Sequence, residues 1–236
     1  MVTVRFRRLV MISFAGMTGP VTIADAQAGA PAAPLQVVEL FQSQGCSSCP
    51  PANANVIALA RRSDILALSW QVTYWDYLGW KDSFAQPAFT ERQRRYAQAL
   101  GHGSVWTPQV VINGRGDVVG ANAQELSRGL SRWSRTQAGV ELSITGQGVV
   151  VSGAPVRASV YLVRYDPRIV QVPIRGGENG GRTLPHLNIV REYATLGSFA
   201  GGRRSYAFPA GNNPILKNAV IVQAGSTGDI LAAIHD

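Results

Sequence analysis

Cysteine, histidine and methionine are all scarce in this chain of 236 residues. It contains two cysteines, three histidines and three methionines. Two cysteines are too few for the disulfide framework that holds a small scaffold together. Because Cys46 and Cys49 are separated by two residues, a structural bridge between them would close a very short ring and constrain the unfolded chain little. A chemical role explains the pair better than a structural one.

Charge is also limited, and the positive excess is not concentrated in one place. Charged residues make up 15% of the chain and apolar residues 46%, which is typical of a folded globular protein. The net charge is +8, but the positive residues are scattered. Arg92, Arg94 and Arg95 lie close together, and we expect them on a solvated helix face. Since no nucleic-acid-binding motif accompanies them, we expect no nucleic-acid partner.

The chain has no hydrophobic run long enough for a permanent membrane anchor. Near the N-terminus, three arginines within residues 5–8 precede the apolar run Leu9 to Ala15, which is too short to span a bilayer core of ~30 Å. With the small residues at 26–28, this pattern is typical of a secretory signal peptide. We therefore expect a signal peptide at 1–28, a lead segment at 29–34 and a mature protein in the periplasm or secreted.

A strand-helix-strand pattern surrounds the cysteine pair. Leu35 to Phe41 has the β-branched content of a buried strand. Pro50 and Pro51 are placed where a helix begins, because the N–H groups that prolines lack have no partner there. A second apolar run, Ile65 to Val72, predicts a parallel strand. The pair therefore lies at the N-terminal end of a helix.

Further elements follow in the first half of the chain. Segment 73–103 begins with aromatic residues and continues into a helix from about Pro87 to Leu100. A strand at 105–112 then reaches the turn Asn113-Gly114, which predicts a hairpin. Asn122 is placed to cap a third helix.

The position of the pair at a helix N-terminus predicts the chemistry of each thiol. The helix dipole and the unpaired N–H groups there stabilise an anion, so Cys46 is expected to hold a thiolate at neutral pH. Because Cys46 is nearer the loop tip, we expect it to be the more exposed, attacking sulfur. Cys49 is then the buried resolving thiol.

This part of the chain resembles thioredoxins in the order of its elements. A strand is followed by Cys46-Ser47-Ser48-Cys49, then by a helix and later by Thr107-Pro108. The resemblance implies that Pro108 is cis and faces the cysteines, and that the backbone of Thr107 pairs with an extended peptide. The alternative is a trans proline that starts an edge strand. Segment 73–103 is then an insertion.

Glu39 lies close to where thioredoxins keep a buried carboxylate that moves a proton for the inner cysteine. Burial raises the pKa of a carboxyl group toward that task. The alternative is a carboxylate at the sheet edge that points to water. Both alternatives stay open at this point.

The second half of the chain differs from the first. From residue 139 onward, short strand-like runs alternate with Gly, Pro and Asn, which is typical of antiparallel sheets. We expect an α/β thioredoxin-like domain over 35–138, followed by a smaller all-β, sandwich-like domain over 139–236. Polar residues are dense between Arg175 and Arg191, which predicts turns, a second site or a segment that docks on the first domain.

Several longer runs resemble a family of exported bacterial proteins known as domain of unknown function 1223. The resemblance implies a thioredoxin-like fold without assigning a reaction. Relatives tend to carry His-Val-Asp-Tyr-Trp where this chain has Gln71-Val-Thr-Tyr-Trp75. The runs that carry the resemblance are Val37 to Pro51, Trp75 to Asp82, Glu91 to Tyr96, Thr107 to Val111 and Arg175 to Leu184.

The leading functional hypothesis is a thiol–disulfide oxidoreductase. We expect it to act on protein thiols or disulfides together with a redox partner, without a cofactor or a bound metal. The predicted site consists of Cys46, Cys49, Thr107, Pro108 and Glu39. Two other classes remain open, namely a copper- or other metal-binding module that uses both thiolates and an interaction protein without redox activity.

Overall fold

The computed structural model describes residues 1–3, 34–136, 139–211 and 213–236. The chain divides into two units, Met1–Ala32 and Ala33–Asp236, and the fold described here belongs to the second. Residues 4–33, which contain nearly all of the expected signal peptide and lead segment, lie outside the described residues. No helix within the described ranges is long and apolar enough to cross a membrane.

The described residues form three α-helices, two short 3₁₀ turns and thirteen strands. The helices are α1 (Cys49–Leu59), α2 (Pro87–Ala99) and α3 (Ala123–Arg132), and the 3₁₀ turns are Asp76–Leu78 and Gly177–Asn179. The first seven strands are β1 (Gln36–Gln42), β2 (Ile65–Gln71), β3 (Gln109–Ile112), β4 (Gly116–Val118), β5 (Val140–Thr145), β6 (Gly148–Gly153) and β7 (Ala158–Asp166). The others are β8 (Val170–Pro173), β9 (Thr183–His186), β10 (Ile189–Phe199), β11 (Gly202–Ala207), β12 (Lys217–Ala224) and β13 (Ile230–His235).

A mixed sheet of eight strands runs through the unit in the order β13-β12-β7-β10-β2-β1-β3-β4. β1 and β2 are parallel, from Gln36 beside Ile65 to Gln42 beside Gln71. β10 joins the other edge of β2, also in parallel, where Ile189 pairs with Ser69. The remaining neighbours are antiparallel. β11, β6 and β5 form a three-stranded sheet, and β8 pairs with β9.

The expected fold class, an α/β thioredoxin-like domain followed by a smaller all-β domain, is wrong. The molecule is mostly β, and strands from both halves of the chain share the eight-stranded sheet. The reason is the free edge of β2. An unpaired strand edge presents N–H and C=O groups that need partners, and β10 supplies them, followed by β7, β12 and β13.

Local sequence signals place the elements next to the cysteines. α1 begins at Cys49 with Pro50 in its first turn. α2 begins at Pro87, as expected. The side chain of Asn122 accepts hydrogen bonds from the first turn of α3, which confirms the predicted cap. Turn residues Asn113 and Gly114 both have positive φ and connect β3 to β4.

Apolar side chains pack on both faces of the large sheet. On one face, α1 and α3 cover β1 and β3, with Leu40, Val56 and Leu126 in contact. On the other face, α2 packs Phe89 and Tyr96 against β1, β2 and β7. A further core joins β7 and β12 to the three-stranded sheet. These layers hold the start of α1 rigidly beside the end of β1.

Candidate functional site

The two cysteines lie together where β1 leads into α1. Cys46 is in the connecting loop, and Cys49 is the first residue of α1. The Cys49 thiol donates to the Cys46 sulfur over 2.6 Å, and both cysteines are free thiols. The backbone N–H of Cys49 donates to the carbonyl of Cys46 at 3.3 Å, which keeps the turn tight. A disulfide between them therefore needs only a small side-chain movement.

The two thiols have opposite acidities. The hydrogen bond from Cys49 is the largest of the causes that lower the pKa of Cys46 to about 6, while burial opposes it. Burial is the main reason that the pKa of Cys49 lies well above its ordinary value, and the charge on Cys46 adds to it. At neutral pH, Cys46 therefore carries the thiolate and Cys49 keeps its proton. An attacking and a resolving thiol need this division.

Alkylation of Cys46 should show this lowered pKa directly. We expect the rate of its reaction with iodoacetamide to rise with pH around a midpoint of about 6 and then level off, because the thiolate is the nucleophile. Mass spectrometry of the reduced protein after timed quenching measures the rate. In Cys49→Ala the main stabilising hydrogen bond is missing, so the midpoint should move up toward ~8.5. A wild-type midpoint already near that value would contradict the assignment.

Thr107 and Pro108 lie beside the pair. The bond between them is cis, so the trans alternative does not hold. The carbonyl oxygen of Thr107 is 3.8 Å from Sγ of Cys46 and 3.4 Å from the hydroxyl oxygen of Ser48. The indole N–H of Trp75 donates to the Thr107 hydroxyl at 2.6 Å. The structure thus brings Thr107, and with it Pro108, to the cysteines.

Glu39, the fifth predicted site residue, is not part of this cluster. Its side chain points to the α2 face of the sheet, because alternate residues of a strand face opposite sides. It is fully buried, and both carboxylate oxygens accept from Arg92, at 2.8 and 3.0 Å. Tyr96 donates a third hydrogen bond at 2.5 Å. Glu39 is therefore half of a buried ion pair, which neither alternative from the sequence described.

Arg92, the partner of Glu39, does not lie on a solvated helix face, contrary to the expectation from the sequence. Its side chain is fully buried, whereas the side chain of Arg94 is 59% exposed. The guanidinium also lies over the rings of Trp70, Tyr96 and two further tyrosines. This arrangement belongs to the α2 face of the sheet, opposite the face that α1 covers.

Cys46 is buried, contrary to the expectation of an exposed attacking sulfur. The accessible fraction is 0% for Cys46 and 2% for Cys49. The 3₁₀ turn Gly177–Asn179 lies against the cysteine loop. The side-chain amide of Asn179 donates to the carbonyl of Cys46 at 2.8 Å. The polar segment between Arg175 and Arg191 thus docks on the loop, one of the three outcomes that the sequence left open.

Asp82 and Trp80 fix the backbone just before Cys46. A carboxylate oxygen of Asp82 accepts from the backbone N–H of Gln44 at 2.8 Å. The indole N–H of Trp80 donates to the side-chain oxygen of Gln44 at 2.9 Å. Burial raises the pKa of Asp82 to about 6. Asp82 therefore holds the cysteine loop in place through its hydrogen bond with the backbone of Gln44.

The four aromatic side chains Trp75, Tyr77, Trp80 and Trp106 lie in different surroundings. Trp75 supports Thr107. Trp80 packs against the apolar cluster of β8 and β9. Tyr77 is 79% exposed, and Trp106 packs against the ring of His102. They form no shared groove in these contacts, and two of them position the residues around the cysteines.

Polar side chains also form a buried network behind α1. The side-chain amide of Gln42 donates to Asn53 at 3.0 Å and to Ser69 at 2.6 Å. Further along, the Gln71 side-chain amide lies 3.2 Å from Nδ1 of His186. Burial lowers the pKa of His186 to about 4, so its ring is neutral at physiological pH. The network connects β1, β2, α1 and β9 behind the site.

Within the described ranges, no cluster of three or more His, Cys, Asp or Glu side chains could hold a metal ion. The two sulfurs therefore have no third ligand of these types beside them in that part of the chain. The metal-binding alternative stays a prediction.

Sequence reasoning missed the contacts that surround the cysteine loop. Trp75, Glu178 and Asn179 each bond to this loop or to Thr107. One signal was visible, namely the density of polar residues and paired glycines between Arg175 and Arg182. Nothing in the local pattern indicated which surface that segment would contact.

Fold and site together define a mostly β protein that carries a dithiol at a helix N-terminus beside a cis X-Pro bond. The chain belongs to the family described as protein of unknown function DUF1223, whose model matches residues 37–223. This match confirms the family membership expected from the sequence.

Two solved structures are similar to the chain. One is the X-ray crystal structure of a protein from Agrobacterium tumefaciens, with 31% identity and a TM-score of 0.70, covering 87% of this chain and 95% of that one. The other is HBP35 of Porphyromonas gingivalis, with 14% identity and a TM-score of 0.54, covering 86% of this chain and 75% of that one. The second likeness concerns the fold alone. No curated protein matches the chain.

Proposed function

We propose that this protein is a thiol–disulfide oxidoreductase that acts on protein thiols or disulfides through Cys46 and Cys49. The observation that carries the proposal is the contact between a Cys46 thiol whose pKa is about 6 and a protonated Cys49 thiol 2.6 Å away. A pair with only a structural role needs no such difference in acidity.

In the first step, the Cys46 thiolate attacks one sulfur of a substrate disulfide. A bond forms between Cys46 and that sulfur, the substrate S–S bond breaks, and the other substrate sulfur leaves as a thiolate that takes up a proton. Before the step, the Ser48 hydroxyl and the Cys49 thiol both stabilise the charge on Cys46. The product is a mixed disulfide with Cys46.

In the second step, Cys49 loses its proton and attacks Sγ of Cys46. The Cys46–Cys49 disulfide forms and the second substrate thiol is released, so two electrons have passed from the protein to the substrate. Loss of the Cys46 charge in the mixed disulfide removes one of the causes that raise the pKa of Cys49. A dithiol partner protein returns the pair to the reduced state, and the same steps in reverse oxidise a substrate dithiol.

Two further features support the proposal. Thr107 lies beside the sulfurs, where its backbone can pair with an extended substrate peptide. The signal-like pattern of residues 1–28 favours the periplasm or the extracellular space, where disulfides form and persist.

Replacement of the resolving thiol tests this function. In Cys49→Ser, the second step is missing, so mixed disulfides between Cys46 and substrate proteins should accumulate. Non-reducing gels of alkylated extracts, compared with reduced samples, detect them. The matched control is the double variant Cys46→Ser/Cys49→Ser, which should trap nothing. If Cys49→Ser forms no more adducts than this control, and the purified wild-type protein neither reduces nor oxidises a model disulfide, the proposed function is wrong.

A further inference from the structure

The attacking sulfur of the proposed reaction belongs to a residue that solvent does not reach. Cys46 has an accessible fraction of 0%, although Ser47 and Ser48, the next two residues, are exposed. A protein disulfide therefore has no access to Cys46 while the surrounding contacts are in place. Some part of the enclosure has to move before exchange.

One part of the enclosure is held by an exposed carboxylate. Glu178 accepts two hydrogen bonds from Ser47, one from the backbone N–H at 2.9 Å and one from the hydroxyl at 2.7 Å. These bonds lower the pKa of Glu178, so the carboxylate is ionised at neutral pH. The backbone N–H of Glu178 also donates to the carbonyl of Gly45 at 3.2 Å. Since water competes for an exposed carboxylate, these side-chain bonds are the easiest part of the enclosure to release.

The neighbouring residue makes the buried contacts of the same turn. The side-chain amide of Asn179 donates to the carbonyls of Gln44 at 3.0 Å and Cys46 at 2.8 Å. Its side-chain oxygen accepts from Arg182 at 2.7 Å. The turn thus holds the backbone on both sides of Gly45, and lifting it breaks these bonds together with those of Glu178.

Two glycines precede Glu178, and two more follow Asn179. Gly177 and Gly181 have φ values of +66° and +82°, which other residues rarely adopt. A Cβ atom on Gly177 would lie 3.3 Å from Cα of Gly45, so the turn approaches the cysteine loop closely. Glycines at both ends leave the backbone free to change direction there.

We propose that residues 176–181 form a gate over Cys46, latched by Glu178, which must lift before a protein disulfide reaches the sulfur. The proposed function enters this inference at one point only, namely that the molecules excluded by the gate are protein disulfides. Closed, the gate protects a reactive thiolate from unspecific oxidation. Open, it exposes Cys46 next to Thr107 and frees the N–H of Ser47 for an acceptor on the substrate.

Thiol alkylation measures the gate without any redox partner. At about pH 8.5, well above the wild-type Cys46 pKa of about 6, the rate with iodoacetamide reports access and not acidity. We expect Glu178→Ala to react about tenfold faster than wild type, because two hydrogen bonds to a charged group are lost. A larger reagent, a maleimide attached to polyethylene glycol, should show a greater difference. Glu141→Ala, at an exposed position on β5, is the matched control and should keep the wild-type rate.

A second variant opens the gate without changing charge. Gly177→Ala places a side chain at positive φ and close to Gly45, so its Cys46 should also react faster. Mass spectrometry must show that Cys49 stays unmodified in both variants, since unfolding would expose both thiols. Selective acceleration at Cys46 supports the gate. A wild-type rate in Glu178→Ala, or equal acceleration of both cysteines, would overturn it. Because alkylation needs no disulfide substrate, the gate and the proposed function can fail independently.

Discussion

Arg92→Met should lower the free energy of unfolding by about 3–5 kcal/mol, because it leaves the Glu39 carboxylate buried without a cation. Both side chains have 0% exposure, and two hydrogen bonds join them. The same substitution also removes a cation from over the rings of Trp70 and Tyr96. Urea unfolding followed by tryptophan fluorescence measures the loss, provided that the transition is two-state.

Two further variants separate charge from packing in this buried pair. In Arg92→Met/Glu39→Gln no charge remains buried, so part of the lost free energy should return. Arg94→Met, on the same helix but exposed, is the matched control and should change stability by less than about 0.5 kcal/mol. If Arg92→Met changes the free energy of unfolding no more than Arg94→Met does, the pair has no structural importance.

Cys46→Ser should slow reduction of a model disulfide by about 10³-fold or more, since a serine hydroxyl is not ionised near neutral pH. The substitution leaves Cys49 in place, but burial keeps that thiol protonated and inaccessible. The protein is reduced beforehand and freed of reductant, and release of a coloured thiol from an aromatic disulfide then gives the rate.

The complementary variant has a different kinetic signature. Cys49→Ser should release about one equivalent of thiol and then stop, because its Cys46 attacks but the mixed disulfide is not resolved. If Cys46→Ser released thiol at the wild-type rate, or Cys49→Ser released as much thiol as the wild type, the roles given to the two sulfurs would be wrong.

The cysteine pair of the candidate site could be predicted because its signals are local. An apolar run followed by Cys46, Cys49 and Pro50 is sufficient to place two thiols where a strand leads into a helix. The proximity of Thr107 came from a family-level resemblance and not from spacing. The close packing around Cys46 could not be predicted, because one of the elements that bond to its loop is a turn more than 100 residues away in sequence.

The fold could not be predicted because the sequence pattern does not identify β10. β10 is the longest strand described, and it joins the two halves by pairing with β2. Its partly exposed sequence contains Arg191, Glu192 and Gly197, and its pairing with β7 shifts register twice. These irregularities interrupt the alternation that identifies strands. Without β10, the second half of the chain looked like a separate domain.

Glu39 illustrates the same limit at a single residue. Alternate residues of a strand face the same side, so the sequence alone places Glu39 on the same face of the sheet as Val37 and Phe41. Its partner Arg92 lies 53 residues further along, in a cluster of arginines that is typical of a solvated surface. Only the packing of α2 on the sheet distinguishes the buried arginine from its exposed neighbours.

A redox titration of the purified wild-type protein tests the central claim most directly. The protein is equilibrated in glutathione buffers of increasing potential, and free thiols are counted by alkylation and mass spectrometry. Because the Cys46 thiolate is stabilised, we predict that both thiols are lost together in one two-electron transition between about −230 and −120 mV. Thiols that stay reduced across this range, or that are oxidised independently of each other, would contradict the account.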